Sequence, residues 1–161
     1  MIEAAPVPAV TETDAPPRRT IRWAGPLLIV GAVLVVLHGF WLFPRLTNQH
    51  VDLLSFWMPR WCFLGKSLAH GHLPTWLPNQ FGGVPFLSDP QSGWLYLPAM
   101  GLFAATSCSR ALGLFITLQP ILAGLGIYAF LRLERVGRPA ATVGGLTMAL
   151  LMAGSAVSLS V

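Results

Sequence analysis

Three runs without a single charged side chain constrain this chain more than any other feature: residues 23–43, 111–131 and 140–161. Each has about the 20 apolar residues that a helix needs to cross a hydrocarbon core roughly 30 Å thick. The rest of the composition agrees, with 54% hydrophobic and 10% charged residues and a mean hydropathy of +0.64. A soluble domain carries about 25% charged residues, so this chain cannot coat a water-facing surface. The expected fold class is an all-α integral membrane protein with three transmembrane helices and a long external loop. The net charge of +4 does not indicate nucleic acid, because the basic residues flank the apolar runs.

The first run, WAGPLLIVGAVLVVLHGFWLF, has Pro26 in its first turn and Trp23 and Trp41 at its ends, where the interfaces would lie. It is longer than the apolar part of a signal peptide and lacks a small-residue cleavage site, so it reads as an uncleaved anchor. The second run carries Gln119-Pro120 near its centre and is expected to kink there. The third contains Gly144, Gly145, Ala149, Gly154, Ser155 and Ser158, small residues that let helices approach closely. The Pro/Ala-rich residues 1–22 have no apolar period and read as a flexible cytoplasmic tail.

Charge placement orients the spans. Arg18, Arg19 and Arg22 precede the first run, and Arg132, Arg135 and Arg138 fill the connection 132–139 between the second and third. Positive residues favour the cytoplasmic side, so the N-terminus is expected inside and residues 44–110 outside, in a multi-pass cell-membrane protein. The apolar stretch 95–109 is too short to cross and precedes Arg110, which suits an interfacial or re-entrant segment. The third run reaches the outer surface without a closing element, as if the sequence were the opening fragment of a larger polytopic protein.

The external loop is where chemistry could sit. Within 51–70, Leu53, Leu54, Trp57, Trp61, Leu64 and Leu68 recur at helical spacing, with Asp52, Ser55, Lys66 and His70 toward the other face. This predicts an amphipathic interfacial helix, bent or split at Pro59. The Gly- and Pro-dense stretch that follows predicts an ordered loop held by its aromatics. Cys62 and Cys108 both fall outside, where a disulfide can form, although nothing in their positions requires them to meet.

The order of residues in this loop resembles the opening of the YfhO-like bacterial membrane proteins, within the GT-C group of polytopic glycosyltransferases. The resemblance rests on Asp52, Pro59, Gly71-x-Leu73-Pro74-x-Trp76, Phe81-Gly82-Gly83-x-Pro85-Phe86, Asp89-Pro90-Gln91-Ser92-Gly93 and Tyr96-x-Pro98. It implies a larger helical bundle that moves a sugar from a polyprenyl-phosphate donor to a cell-envelope acceptor on the outer face. It also implies an acidic residue just after the first span, a position Asp52 occupies. A carboxylate there can take the proton of an attacking hydroxyl, or ligate a divalent metal. Many members carry a second neighbouring acid; here Asp89 is the other external one. Arg60 and Lys66 are candidates for the departing phosphate, or for lipid headgroups. With Trp76, Asp89, Gln91 and Tyr96 they make up the candidate substrate contacts.

Each has a plainer reading beside it. Asp52 suits a helix N-terminus, Asp89-Pro90 a turn, and His70-x-His72 a solvated loop rather than a metal site. His38, inside the first run, is expected to bond a neighbouring helix. No P-loop, Rossmann fingerprint, HExxH, GxSxG or CxxC occurs. The alternative function is a non-enzymatic membrane component, such as a transporter part or an envelope-assembly factor.

Overall fold

The computed structural model describes residues 23–38 and 51–158. The expected tail and residues 39–43 of the first apolar run lie outside the described residues. The chain is mostly helical: α1 (Ala24–Val36), α2 (Met58–Ala69), α3 (Leu97–Ala105), α4 (Cys108–Leu133) and α5 (Arg138–Ser158), with a π-helical turn at Leu53–Trp57 leading into α2. A two-stranded antiparallel hairpin pairs β1 (Trp76–Leu77) with β2 (Val84–Pro85), placing Trp76 opposite Pro85 and Leu77 opposite Val84.

Among the described residues one helix, α4, is long and apolar enough to cross a membrane, and only 17% of its apolar window is buried inside the protein. That low burial separates it from the core helix of a soluble domain, whose apolar residues would be covered. Its outward residues include Leu122, Phe130 and Leu133, and α1 and α5 likewise expose Leu27, Val35, Val143 and Leu151. The 13 described residues of α1 reach only about 20 Å, short of a full crossing. The 21 residues of α5 start two positions before the third run. Pro120 is buried within α4, and the helix runs through it.

Small residues set the packing of α1, α4 and α5. A Cβ on Gly124 would lie 2.7 Å from the Cβ of Ala149 and 2.8 Å from Ile29, and one on Gly145 would lie 2.7 Å from the carbonyl oxygen of Gly124. Backbone therefore meets backbone between α4 and α5, and Ile29 of α1 seats on the seam. Ile29, Val33, Leu37, Ala149 and Ala153 form the buried cluster that results. Gly154 faces open space instead. The α4 terminus is closed by Arg135 at φ 61°, with Val136 N–H donating to Leu131 O at 2.9 Å and Arg135 N–H to Arg132 O at 3.2 Å. His38, just past the end of α1, donates from its ring to Val35 O at 2.9 Å, three residues back.

A cap of α2, the hairpin and α3 sits on the N-terminal end of α4. Leu64, Leu77 and Phe86 are its inner core, while Ala99, Phe103, Ala111, Leu112 and Phe115 join α3 to α4. The apolar stretch 95–109 thus becomes a nine-residue helix that packs on protein. It can do so closely because Gly65 of α2 has no side chain: a Cβ there would stand 2.1 Å from the Phe103 carbonyl oxygen. Cys62 and Cys108 are joined in a disulfide across 46 residues of sequence, tying α2 to the start of α4.

Candidate functional site

Pro59 does not split the helix as the sequence suggested. The residues from 51 to 69 stay helical, and the chain widens into a π-turn just before the proline. Met58 N–H reaches back five residues to Leu53 O, and proline has no N–H to offer Ser55 O. The carbonyls left over need a donor from elsewhere, because buried backbone acceptors are rarely left unpaired. Gln80, from the hairpin loop, supplies it: its Nε2 donates to Phe56 O at 3.1 Å and sits 3.5 Å from Ser55 O.

Gln80 is itself held from below. Its Oε1 accepts a hydrogen bond from Arg60 Nε at 2.9 Å, and Arg60 Nη2 forms a salt bridge with Asp89 Oδ2. The guanidinium also lies over the Phe56 ring, 4.5 Å from its centroid. Arg60 is only 2% exposed. Asp89 Oδ1 accepts the Gln91 N–H at 2.8 Å, closing a turn. That backbone bond, followed by the bond and charge of Arg60, outweighs burial and holds the Asp89 carboxyl below its ordinary value. In this structure the charge of Arg60 is paired with Asp89 and its side chain is enclosed. Asp89 is both the turn residue that its sequence context suggested and the partner of this buried cation.

Above this node lies a pocket of about 570 Å³. The helix contributes Asp52, Ser55, Phe56 and Trp57 to its wall; the loops contribute Gln80, Phe81 and Gln91. Ser55 Oγ donates to Val51 O at 2.7 Å and keeps lone pairs available. Phe81 is 81% exposed, yet its backbone is pinned at φ 50° ahead of Gly82 at 78° and Gly83 at 109°. Three successive left-handed residues make the turn, and only the glycines adopt it without strain. Gly83 is required for another reason, since a Cβ there would meet the Trp76 indole at 2.7 Å.

Of the candidate contacts, the structure brings together Asp52 and Gln91 on the pocket wall, with Arg60 and Asp89 as the support beneath. Lys66 is exposed on α2 and does not line the pocket. Trp76 covers Gly83 behind the hairpin. Tyr96 points to α4, donating to Gln119 Oε1 at 3.1 Å and packing edge-on against Phe115. Ser55, Phe56, Trp57, Gln80 and Phe81 were not singled out as site residues. Pro59 was the signal for Gln80, because a proline inside a helix predicts a stranded carbonyl. Among the described residues no group of three or more His, Cys, Asp or Glu is gathered to hold an ion. His70 donates to Lys66 O at 2.7 Å, four residues back.

Comparison with protein-family models, with curated proteins and with solved structures gives no match.

Proposed function

We propose that the chain is the pocket-bearing part of a membrane glycosyltransferase of GT-C type, with the pocket on the outer face. The observation that carries this reading is Asp52, a carboxylate on the wall of a 570 Å³ pocket among aromatic rings and amides. Such pockets typically measure about 300–1,000 Å³ and combine apolar walls with a few polar groups. In the proposed reaction a hydroxyl oxygen of the acceptor attacks the anomeric carbon of a lipid-linked sugar. The bond from that carbon to the phosphate oxygen breaks, the polyprenyl phosphate leaves with the electron pair, and Asp52 takes the hydroxyl proton.

The topology belongs to the same proposal: α1, α4 and α5 as three spans, the arginine clusters inside and the cap outside. Two features support it. Cys108 and Arg132 lie at opposite ends of the 26-residue α4, so the disulfide and the basic cluster are on opposite sides of any membrane it crosses. Disulfides persist in oxidising compartments, and positive clusters favour the cytoplasm. Reporter fusions at Ser88 and Arg135 should read outside and inside respectively; the reverse would undo the reading. For the chemistry, wild type and Asp52→Asn are compared for sugar transfer to envelope material in cells carrying the intact gene. A drop of about 100-fold or more is expected for loss of a general base. Equal transfer would remove Asp52 from the mechanism.

A further inference from the structure

Resting on the topology proposed above, though not on the transfer chemistry, we infer that α3 is a re-entrant wedge in the outer leaflet. It lies beside the first half of α4, and lipid acyl chains cover its outward face. The depth comes from α4. Its charge-free residues 111–131 rise about 31 Å, which matches the hydrocarbon core. Arg110 then marks the outer boundary and Arg132 the inner one. Gln119 lies about 13 Å below Arg110 along the helix axis. Tyr96, directly before α3, donates to Gln119 Oε1 at 3.1 Å. Leu102, in the middle of α3, lines a groove with Leu34, Leu114, Thr117, Leu118 and Ile121. The start and the middle of α3 therefore reach the part of α4 that lies below the boundary.

What α3 leaves uncovered agrees with that depth. No charged side chain occurs between Asp89 and Arg110. Ala99 and Phe103 turn inward, while Leu95 is 69% and Leu97 74% exposed. Leu97, Gly101 and Ala105 recur at a spacing of four and form one exposed stripe. The helix is thus apolar on its open side as well as on its covered one, whereas a helix facing water carries polar residues there. Its neighbour in the same cap does so: the helix over 51–69 exposes Asp52, Ser55 and Lys66. The groove at Leu102, about 250 Å³, offers an acyl chain a bed at this level. Its one hydroxyl, on Thr117, already donates to Gly113 O at 2.9 Å. A helix that begins within lipid must also limit its unpaired N–H groups. Pro98 in the first turn removes one, and Met100 N–H donates to Tyr96 O at 3.0 Å.

The test places a bimane fluorophore on Leu95→Cys and on Leu97→Cys, one at a time, with the native disulfide intact. The whole chain is held in phosphatidylcholine vesicles. Two quenchers are compared: iodide in the water on both sides, and a nitroxide carried on the acyl chain of a doxyl-phosphatidylcholine. Ser88→Cys, in an exposed loop, and Leu122→Cys, on the open side of α4, mark the two environments. Both wedge positions should be quenched by the lipid nitroxide to within about twofold of Leu122→Cys, and by iodide about fivefold less than Ser88→Cys or weaker still. Leu95→Cys serves alone if the other variant misfolds. Iodide quenching at the wedge as strong as at Ser88→Cys, with Leu122→Cys still protected, would overturn the inference and leave the three spans standing. Iodide reaching Leu122→Cys as well would overturn both. Shielding of the wedge from both quenchers would show that protein rather than lipid covers α3, which also overturns the inference.

Discussion

Replacing Asp89 by Asn tests whether the salt bridge beneath the pocket holds the cap together. The substitution keeps an oxygen for the Gln91 N–H and removes the charge facing Arg60. Arg60 has 3% of its side chain exposed, against 23% for Asp89, and its Nη1 already lacks a partner. Stranding a fully buried charge costs about 3–5 kcal/mol, whereas breaking an exposed pair costs about 0–1 kcal/mol. Water reaches the Asp89 side, so the expected loss is reduced to about 2–3 kcal/mol. For a chain of this length that is a fall in Tm of roughly 5–10 °C. Thermal unfolding in micelles, followed by near-UV circular dichroism of the aromatic cluster, reads it. Arg60→Met in the Asp89→Asn background removes the stranded charge and should recover at least about 1 kcal/mol. The same linkage has a pH signature. Because the Asp89 pKa is lowered in the fold, its stabilisation is complete above the unfolded value of about 4. It is lost as pH falls from there through the depressed folded value, and Asp89→Asn should flatten that part of the profile. A Tm within about 1 °C of wild type, unmoved by Arg60→Met, would refute the reasoning.

Three further outcomes follow from the packing. Gly65→Ala forces α2 away from the Phe103 carbonyl and should destabilise by about 2–3 kcal/mol, seen as a lower Tm; a neutral effect would contradict the close crossing. Cys62→Ser opens a closed loop with a separation of 46 residues and should cost up to about 4 kcal/mol, with reductant lowering the wild-type Tm and leaving the variant unchanged. Phe81→Asn, at φ 50°, relieves left-handed strain and should stabilise by about 1 kcal/mol, seen as a higher Tm; an unchanged or lower Tm would contradict the strain.

Local pattern sufficed for α4 and α5. The apolar content of 111–131 and the small residues of 140–161 are properties of single segments, and α4 and α5 cover them. Burial of Gly124, Gly145 and Ala149 on a common seam follows the same logic, since small side chains are where helices can touch. The amphipathic spacing of 51–70 likewise leaves Asp52, Ser55, Lys66 and His70 exposed. The candidate site was legible only in pieces. Asp52 and Gln91 stood out as residue types in a resembling stretch, but which of seven candidates share a wall depends on how the hairpin loop folds back over the helix.

Pairing was beyond any local pattern. Arg60 and Asp89 are 29 positions apart; by itself Arg60 read as a phosphate or headgroup contact and Asp89 as a turn residue or second acid, and the salt bridge forms where the Gln80 loop folds back over the carbonyls freed by Pro59. Cys62 and Cys108 are two distant thiols in the sequence, and the crossing of α2 and α3 at Gly65 brings them to 5.4 Å between Cα atoms. Hydrophobic periodicity is a short-range signal of which face is apolar, and here it assigned helix and face. Charge neutralisation and disulfide choice are sums over residues far apart in the chain. They take values only once packing has set the distances.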